Sequence, residues 1–251
     1  MYDIPMDTMS AEFLPCWQAA GMHLDRQVDG GIRFWLRAHP YAPYLEHLSF
    51  RLGNQLFFIR VEDVDGNVAG PGSLEGLQRI ASATGGHACL LPMQRQASGE
   101  WIPVGAGWGL LDVRTGKAFN PVAFVSDEKI PMTPWEIQDM AVQVVRGYLE
   151  SEGYELMSWQ SDPEVDPSIW FVGDSKGPEW VVVRPSDSLE EGAKRPANWD
   201  AIAAQSRSLS NIGHFASVWI SSAEQLSAPD HELAIPLWRG HQLEVEFFGL
   251  E

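Results

Sequence analysis

Cysteine, basic residues and long apolar runs are all scarce in this chain of 251 residues. Its two cysteines, Cys16 and Cys89, lie in apolar surroundings without CxxC spacing. That argues against a disulfide framework or a metal knuckle and for buried thiols in a reducing cytoplasm. No apolar stretch approaches the ~20 residues of a membrane-spanning helix. The opening MYDIPMDTMSAEF has neither a basic start nor an apolar run, so no secretory signal is expected. Charged residues are only 20% of the chain, too few for a coiled coil or a disordered polymer. Hydrophobic residues at 45% and aromatics at 11% supply one or two real cores.

The shortage of bases is uneven. Seventeen Lys and Arg face 34 Asp and Glu, a net charge of −17. Up to Met132 there are 14 acids and 10 bases, a balance of −4; beyond it 20 acids and 7 bases leave −13. A field of this sign repels a phosphate backbone and favours a basic protein partner, so neither nucleic acid nor membrane is expected as a ligand.

Four features recur in the same order. Helical segments follow Pro-Met at Pro5 and at Pro131. Hairpins end in apolar strands closed by arginine, LSFRLGNQLFFIRVED up to Asp63 and SIWFVGDSKGPEWVVVRPSD up to Asp187. A helix runs into a strand through Gly-His in LQRIASATGGHACLLPM and in IAAQSRSLSNIGHFASVWI. An Ile-Pro strand and a final apolar segment follow, WIPVGAGWGLLDV and AIPLWRGHQLEVEFFGLE. The spacing is 124 residues between Arg60 and Arg184, 127 between His87 and His214, and 133 between Pro103 and Pro236. Slow drift of this kind is what loop insertions produce. Two copies of one domain are therefore expected, residues 1–128 and 129–251, joined within AFVSDEKIPMTP.

The second copy is the more legible. Thr133, Pro134 and Glu136 form a capping-box start. Ile137, Met140, Ala141, Val144, Val145 and Tyr148 make a helical apolar stripe that Gly153 ends. A short strand, a hairpin with a doubly buried second strand, a second helix and further strands follow. Helix, three strands, helix, strand predicts an α/β (α+β) fold, each domain a central mixed sheet flanked by helices.

This order resembles the PD-(D/E)XK, or restriction-endonuclease-like, fold. It is also similar to small bacterial domains that share IW…VVVR…FASV…IPL.RGH…V.F.GLE. The resemblance covers most of residues 133–251 and, more weakly, 7–120. In active members a helix glutamate, an aspartate opening the hairpin and an acidic-x-lysine pair on the central strand hold Mg²⁺ and orient the attacking water. Carried over, the resemblance places Glu136 on the helix and Asp166 before the hairpin. The acidic and lysine positions fall on Val182 and Arg184 in the second copy and on Phe58 and Arg60 in the first, where Glu46 is the nearest acid to the hairpin. Valine cannot ligate a metal, and arginine does not exchange a proton as lysine does. Glu179 could reach the site only by an odd register slip that would turn the strand inside out. The resemblance thus implies a scaffold without its catalysis, and no metal or cofactor is expected.

Other motifs have plainer readings. EDVDGN at Glu62–Asn67 lacks the spacing and the twelfth-position acid of a calcium loop, and reads as an Asx-rich turn. His87 and His214 are expected in a helix C-cap contact. GAGWG at Gly105–Gly109 and RGHQ at Arg239–Gln242 read as turns between strands. Of the eleven tryptophans, Trp108 and Trp238 sit beside glycines and are expected to be partly exposed interface anchors. Glu150, Glu152, Glu155, Asp162, Glu164, Asp187, Glu190 and Glu191 are expected to cluster around one helix end and the neighbouring loops.

A dead nuclease scaffold, duplicated and acidic, implies an inhibitor of a basic partner, most naturally an immunity protein against a nuclease-type toxin of interbacterial competition. The alternatives are a Mg²⁺-dependent nuclease or phosphodiesterase using Glu136, Asp166, Glu179 and Arg184, and a structural or regulatory module of a larger assembly.

Overall fold

A computed structural model describes residues 10–36, 47–68, 70, 72–226 and 236–251. Pro5, Glu46 and Ile235 lie outside the described residues. The chain divides into two compact units, Met1–Glu128 and Lys129–Glu251.

In the second unit α3 (Pro134–Ser151) precedes β8 (Glu155–Trp159), β9 (Ile169–Val172) and β10 (Pro178–Ser186). Then come α4 (Trp199–Ser206), β11 (Gly213–Ser222), α5 (Ala223–Leu226) and β12 (Leu243–Phe247). The sheet runs β12-β11-β10-β9-β8, with β10 and β11 parallel and every other pair antiparallel. The parallel pair requires a crossover, and α4 supplies it.

Strand β10 is buried along both faces, Glu179 to Val183 in sequence. Trp180 and Val182 pack with Ile202, Phe215 and Trp199 of the α4 side. Alternation turns Val181 and Val183 to the other face, where α3 packs and Gln138 donates to the Val183 carbonyl at 2.9 Å. The result is helix, sheet, helix in three layers.

In the first unit α1 (Phe13–Asp25) precedes β1 (Phe34–Trp35), β2 (Leu48–Leu52) and β3 (Gln55–Asp63). There follow α2 (Leu74–Thr84), β4 (His87–Arg95), β5 (Trp101–Pro103), β6 (Leu110–Asp112) and β7 (Ala118–Phe119). The path β1-β2-β3-β4-β6 repeats the second sheet strand for strand, with β3 and β4 parallel; β7 extends it and β5 pairs with the far half of β4. Phe57, Ile59 and Val61 share a core with Phe13, Trp17 and Leu24 of α1. The expected α/β fold with flanked mixed sheets is the one observed.

Repetition extends to register. His87 stands opposite Phe57, three residues before Arg60, and His214 stands opposite Val181, three residues before Arg184. The drift in spacing from 124 to 127 is therefore absorbed between the parallel strands and leaves their alignment unchanged. Gly86 and Gly213 have one reason in common. A side chain at Gly86 would collide with the Phe58 ring, and one at Gly213 with Trp180.

Two local expectations fail. The buried face of α3 is Glu136, Gln138, Asp139, Ala141, Val142, Val145, Arg146 and Leu149, so Ile137, Met140, Val144 and Tyr148 are only half-buried. The stripe is rotated because polar side chains find partners inside. Ser161 Oγ donates to Asp139 at 2.5 Å, and the Arg146 guanidinium lies 3.8 Å from the centre of the Trp159 ring. The segment Pro236–Trp238 forms no strand; Trp238 makes a single bridge to Pro131.

Candidate functional site

The resemblance names Glu136 and Asp166, and the nuclease alternative adds Glu179; each of the three bonds a different side chain of the chain, Arg239, Arg184 and His214 in turn. Glu136 sits at the third position of α3, where Thr133 N–H and Oγ1 donate to its Oε2 at 2.8 and 3.0 Å. Its own N–H donates back to Thr133 Oγ1 at 3.3 Å, completing the capping box. Arg239 then closes the carboxylate, Nε on Oε1 at 2.8 Å and Nη2 on Oε2 at 2.7 Å. Four donors match the roughly four lone-pair sites of a carboxylate. Both side chains are buried, with 2% exposure for the arginine and 5% for the glutamate.

Asp166, in the β8–β9 connection, takes a fork from Arg184, Nη1 on Oδ1 at 3.0 Å and Nη2 on Oδ2 at 2.5 Å. Nη1 also donates to the Val183 carbonyl. Of the four residues that the nuclease alternative names, Asp166 and Arg184 are the two in direct contact. Glu179, at the opposite end of β10, accepts Ser175 N–H at 3.1 Å and contacts His214 Nε2 at 2.8 Å. Burial pushes its pKa up, but the Ser175 and His214 bonds together outweigh this and leave it below the usual carboxylate value. Glu179 and Arg184 are five residues apart on one strand, about 16 Å, and alternate to opposite faces.

Between Glu179 and Arg184 along the strand, the acidic position of the resemblance is Val182, fully buried in the α4 core. Among the described residues no group of three or more His, Cys, Asp or Glu stands where it could hold a metal ion. The residues present do not fit the Mg²⁺ of an active nuclease, because each carboxylate is already saturated or paired and the strand ligand is an aliphatic side chain.

The histidines do not cap helices. His87 Nε2 bonds Gln55 Oε1 at 3.1 Å, and Gln55 is the counterpart of Glu179 at the 124-residue spacing. Each histidine thus ties the start of one parallel strand to the start of its neighbour, through an amide in one unit and a carboxylate in the other. At the end of β3, Asp63 accepts the amides of Asp65, Asn67 and Val68. That is the Asx-rich turn read from EDVDGN.

The acidic residues are exposed but do not form one cluster. Glu150, Glu152 and Glu155 lie at the end of α3 and start of β8, with Glu150 paired to Arg146 at 3.5 Å. Glu152 and Glu155 share an open depression with Tyr154, Asp174 and Lys176. Asp162, Glu164, Asp187, Glu190 and Glu191 belong to the other end of the sheet, where the β8–β9 connection meets the end of β10. The length of a strand separates the groups, because Glu155 opens β8 and Asp162 follows its close. Sequence distance does not reveal which end of a sheet a loop occupies.

Trp108 is also corrected. It is buried, 8% exposed, stacked 6.0 Å from Phe50, with its carbonyl bonded to His23 Nε2 at 3.1 Å. The preceding glycine loop folds the ring inward, so it cannot anchor a partner. Trp238 is half-buried, with Lys129 Nζ 5.9 Å from its ring centre.

RGHQ places Arg239 in a turn, and its side chain has the further role of closing Glu136. The signal for its role was the capping box itself, since a buried N3 glutamate requires a cation. No helix among the described residues is long and apolar enough to cross a membrane. No curated protein and no solved structure matches the chain. Residues 135–251, the second unit from α3 onward, match the model of a domain of unknown function (DUF8840).

Proposed function

We propose that this protein is a non-catalytic acidic binding protein that captures a basic protein in the cytoplasm, and that it acts as an immunity protein against a nuclease-type bacterial toxin. Its units are a tandem pair of degenerate restriction-endonuclease-like domains. One observation carries this reading. Glu136 and Asp166, the carboxylates that the resemblance assigns to a metal, and Glu179, the acid on β10, are each bonded within the chain, to Arg239, Arg184 and His214 respectively. A scaffold whose acids serve internal cohesion has no free ligand set for Mg²⁺, whereas its exposed acids present a strongly negative surface for steering a basic partner.

Co-expression with the product of the adjacent gene tests the reading. A stoichiometric complex with a basic protein that is toxic alone and harmless when bound supports it; no complex counts against it. The nuclease reading predicts Mg²⁺- or Mn²⁺-dependent cleavage of DNA or RNA that Glu136→Gln and Asp166→Asn abolish.

A further inference from the structure

We infer that the outer edge of β12 is a docking edge for an extended, basic segment of a partner protein, with Phe248 as its apolar anchor. This rests on the reading of the chain as a binder of a basic protein and adds the place and mode of contact.

Among the described residues β12 ends its sheet, pairing on one side with β11 from Ser222↔Leu243 to Val218↔Phe247. Pairing resumes at Phe215, whose N–H donates to the Glu251 carbonyl at 3.0 Å and whose carbonyl accepts Glu251 N–H at 2.9 Å. Three steps lead from Val218 to Phe215 but four from Phe247 to Glu251, so the outer strand carries one extra residue. That is a β-bulge, a device that re-aims a side chain at a sheet edge. Gly249 absorbs it at φ +108°, a conformation that L side chains rarely adopt. The re-aimed residue is Phe248, 78% exposed.

The bulge also sets the charge pattern. Phe247 packs on Tyr148 of α3 at 5.2 Å. Alternation places Leu243 and Val245 with it and Glu244 and Glu246 on the opposite face. The extra residue brings Glu251, opposite Phe215 of the α4 core, onto that same opposite face. Three glutamates therefore line one face of an edge, LEVEFFGLE, that holds no base.

The occupant follows from this pattern. A second copy laid antiparallel along the edge would bring carboxylates against carboxylates, which is unfavourable. A strand with Lys or Arg at alternate positions turns each such contact into an attraction and adds backbone pairing, the mode called β-strand addition. A bulge that only blunted the edge would need no aromatic at the extruded position. An exposed aromatic on a strand whose one face carries three glutamates suits an apolar pocket with a basic rim.

The test uses the full chain and a short peptide alternating lysine and valine, with a glutamate-for-lysine peptide as control. Affinity is read by fluorescence anisotropy and contact by amide exchange. The lysine peptide is expected to bind, to protect residues 243–251, and to lose about tenfold or more in affinity with Phe248→Ala and with Glu244→Lys/Glu246→Lys. An unchanged Tm in these variants checks the fold. No binding, binding indifferent to both variants, or a chain that dimerises until Phe248→Ala is made would each overturn the edge assignment. Loss instead in Glu164→Lys/Asp187→Lys/Glu190→Lys/Glu191→Lys would overturn the edge and leave the acidic-binder reading standing.

Discussion

Arg239 reaches across 103 residues of chain to fork both oxygens of Glu136, with the two side chains almost wholly buried. The pair joins the first turn of α3 to the segment before β12. Removing one partner leaves the other charge buried and alone, which costs about 3–5 kcal/mol. Arg239→Met is expected to destabilise the full chain by that much in urea unfolding. The double variant Arg239→Met/Glu136→Leu should recover most of the loss, short of the capping-box contribution of about 1 kcal/mol. Recovery would show that the cost of the single variant is that of an uncompensated buried charge.

Gly86 and Gly213 give a matched test of the duplication. Each lies where an aromatic ring of the central strand or its start occupies the place of a Cβ, Phe58 in one unit and Trp180 in the other. Gly213→Ala and Gly86→Ala should each cost about 1–3 kcal/mol, as overpacking of a tight core does. Thermal unfolding checks this, and Gly30→Ser, which meets no atom within 4 Å, controls for space though not for its φ of +77°.

The histidine pairs differ in their response to acid. Glu179 has a folded-state pKa below its unfolded value. Its contribution is therefore present above the unfolded carboxylate pKa and is lost as pH falls through the folded value. Glu179→Gln is expected to flatten the acid limb of the stability profile. Gln55→Glu should steepen it, because it gives His87 the same kind of partner. Denaturant midpoints measured across the acid range read both.

Restoring the strand acid should not restore a nuclease. Val182 lies among Trp180, Ile202 and Phe215. A glutamate there would be buried and its pKa raised by about 3 units, on the order of 4 kcal/mol at neutral pH. Val182→Glu is expected to unfold more readily and to show no Mg²⁺-dependent cleavage.

The division into two units of like strand order was legible because turn and strand residues, Gly-His and the closing arginines, are short-range signals repeated in order. Even the drift between Arg60/Arg184 and His87/His214 had a reading, since it fell between strands whose pairing is unchanged. The phase of α3 was not legible. Apolar spacing selects Ile137 and Met140, but Gln138, Asp139 and Arg146 are buried because Val183, Ser161 and Trp159 receive them from distant segments. Trp108 was misread for a related reason. Flanking glycines suggest an exposed turn, and only the opposite wall of the core, Phe50, shows that the turn points inward. The acidic loops divided between two ends of the sheet because strand direction, not sequence proximity, decides which loops meet.

The most direct measurement is titration calorimetry of the purified chain with the product of its neighbouring gene, purified as an inactive variant, at low and high salt. The account predicts a one-to-one complex with a basic protein whose affinity falls as salt rises. The paired variant Arg239→Met/Glu136→Leu is expected to leave that affinity intact, while charge reversal of the exposed acids weakens it. No complex at low salt, together with metal-dependent cleavage of nucleic acid that Glu136→Gln abolishes, would contradict it.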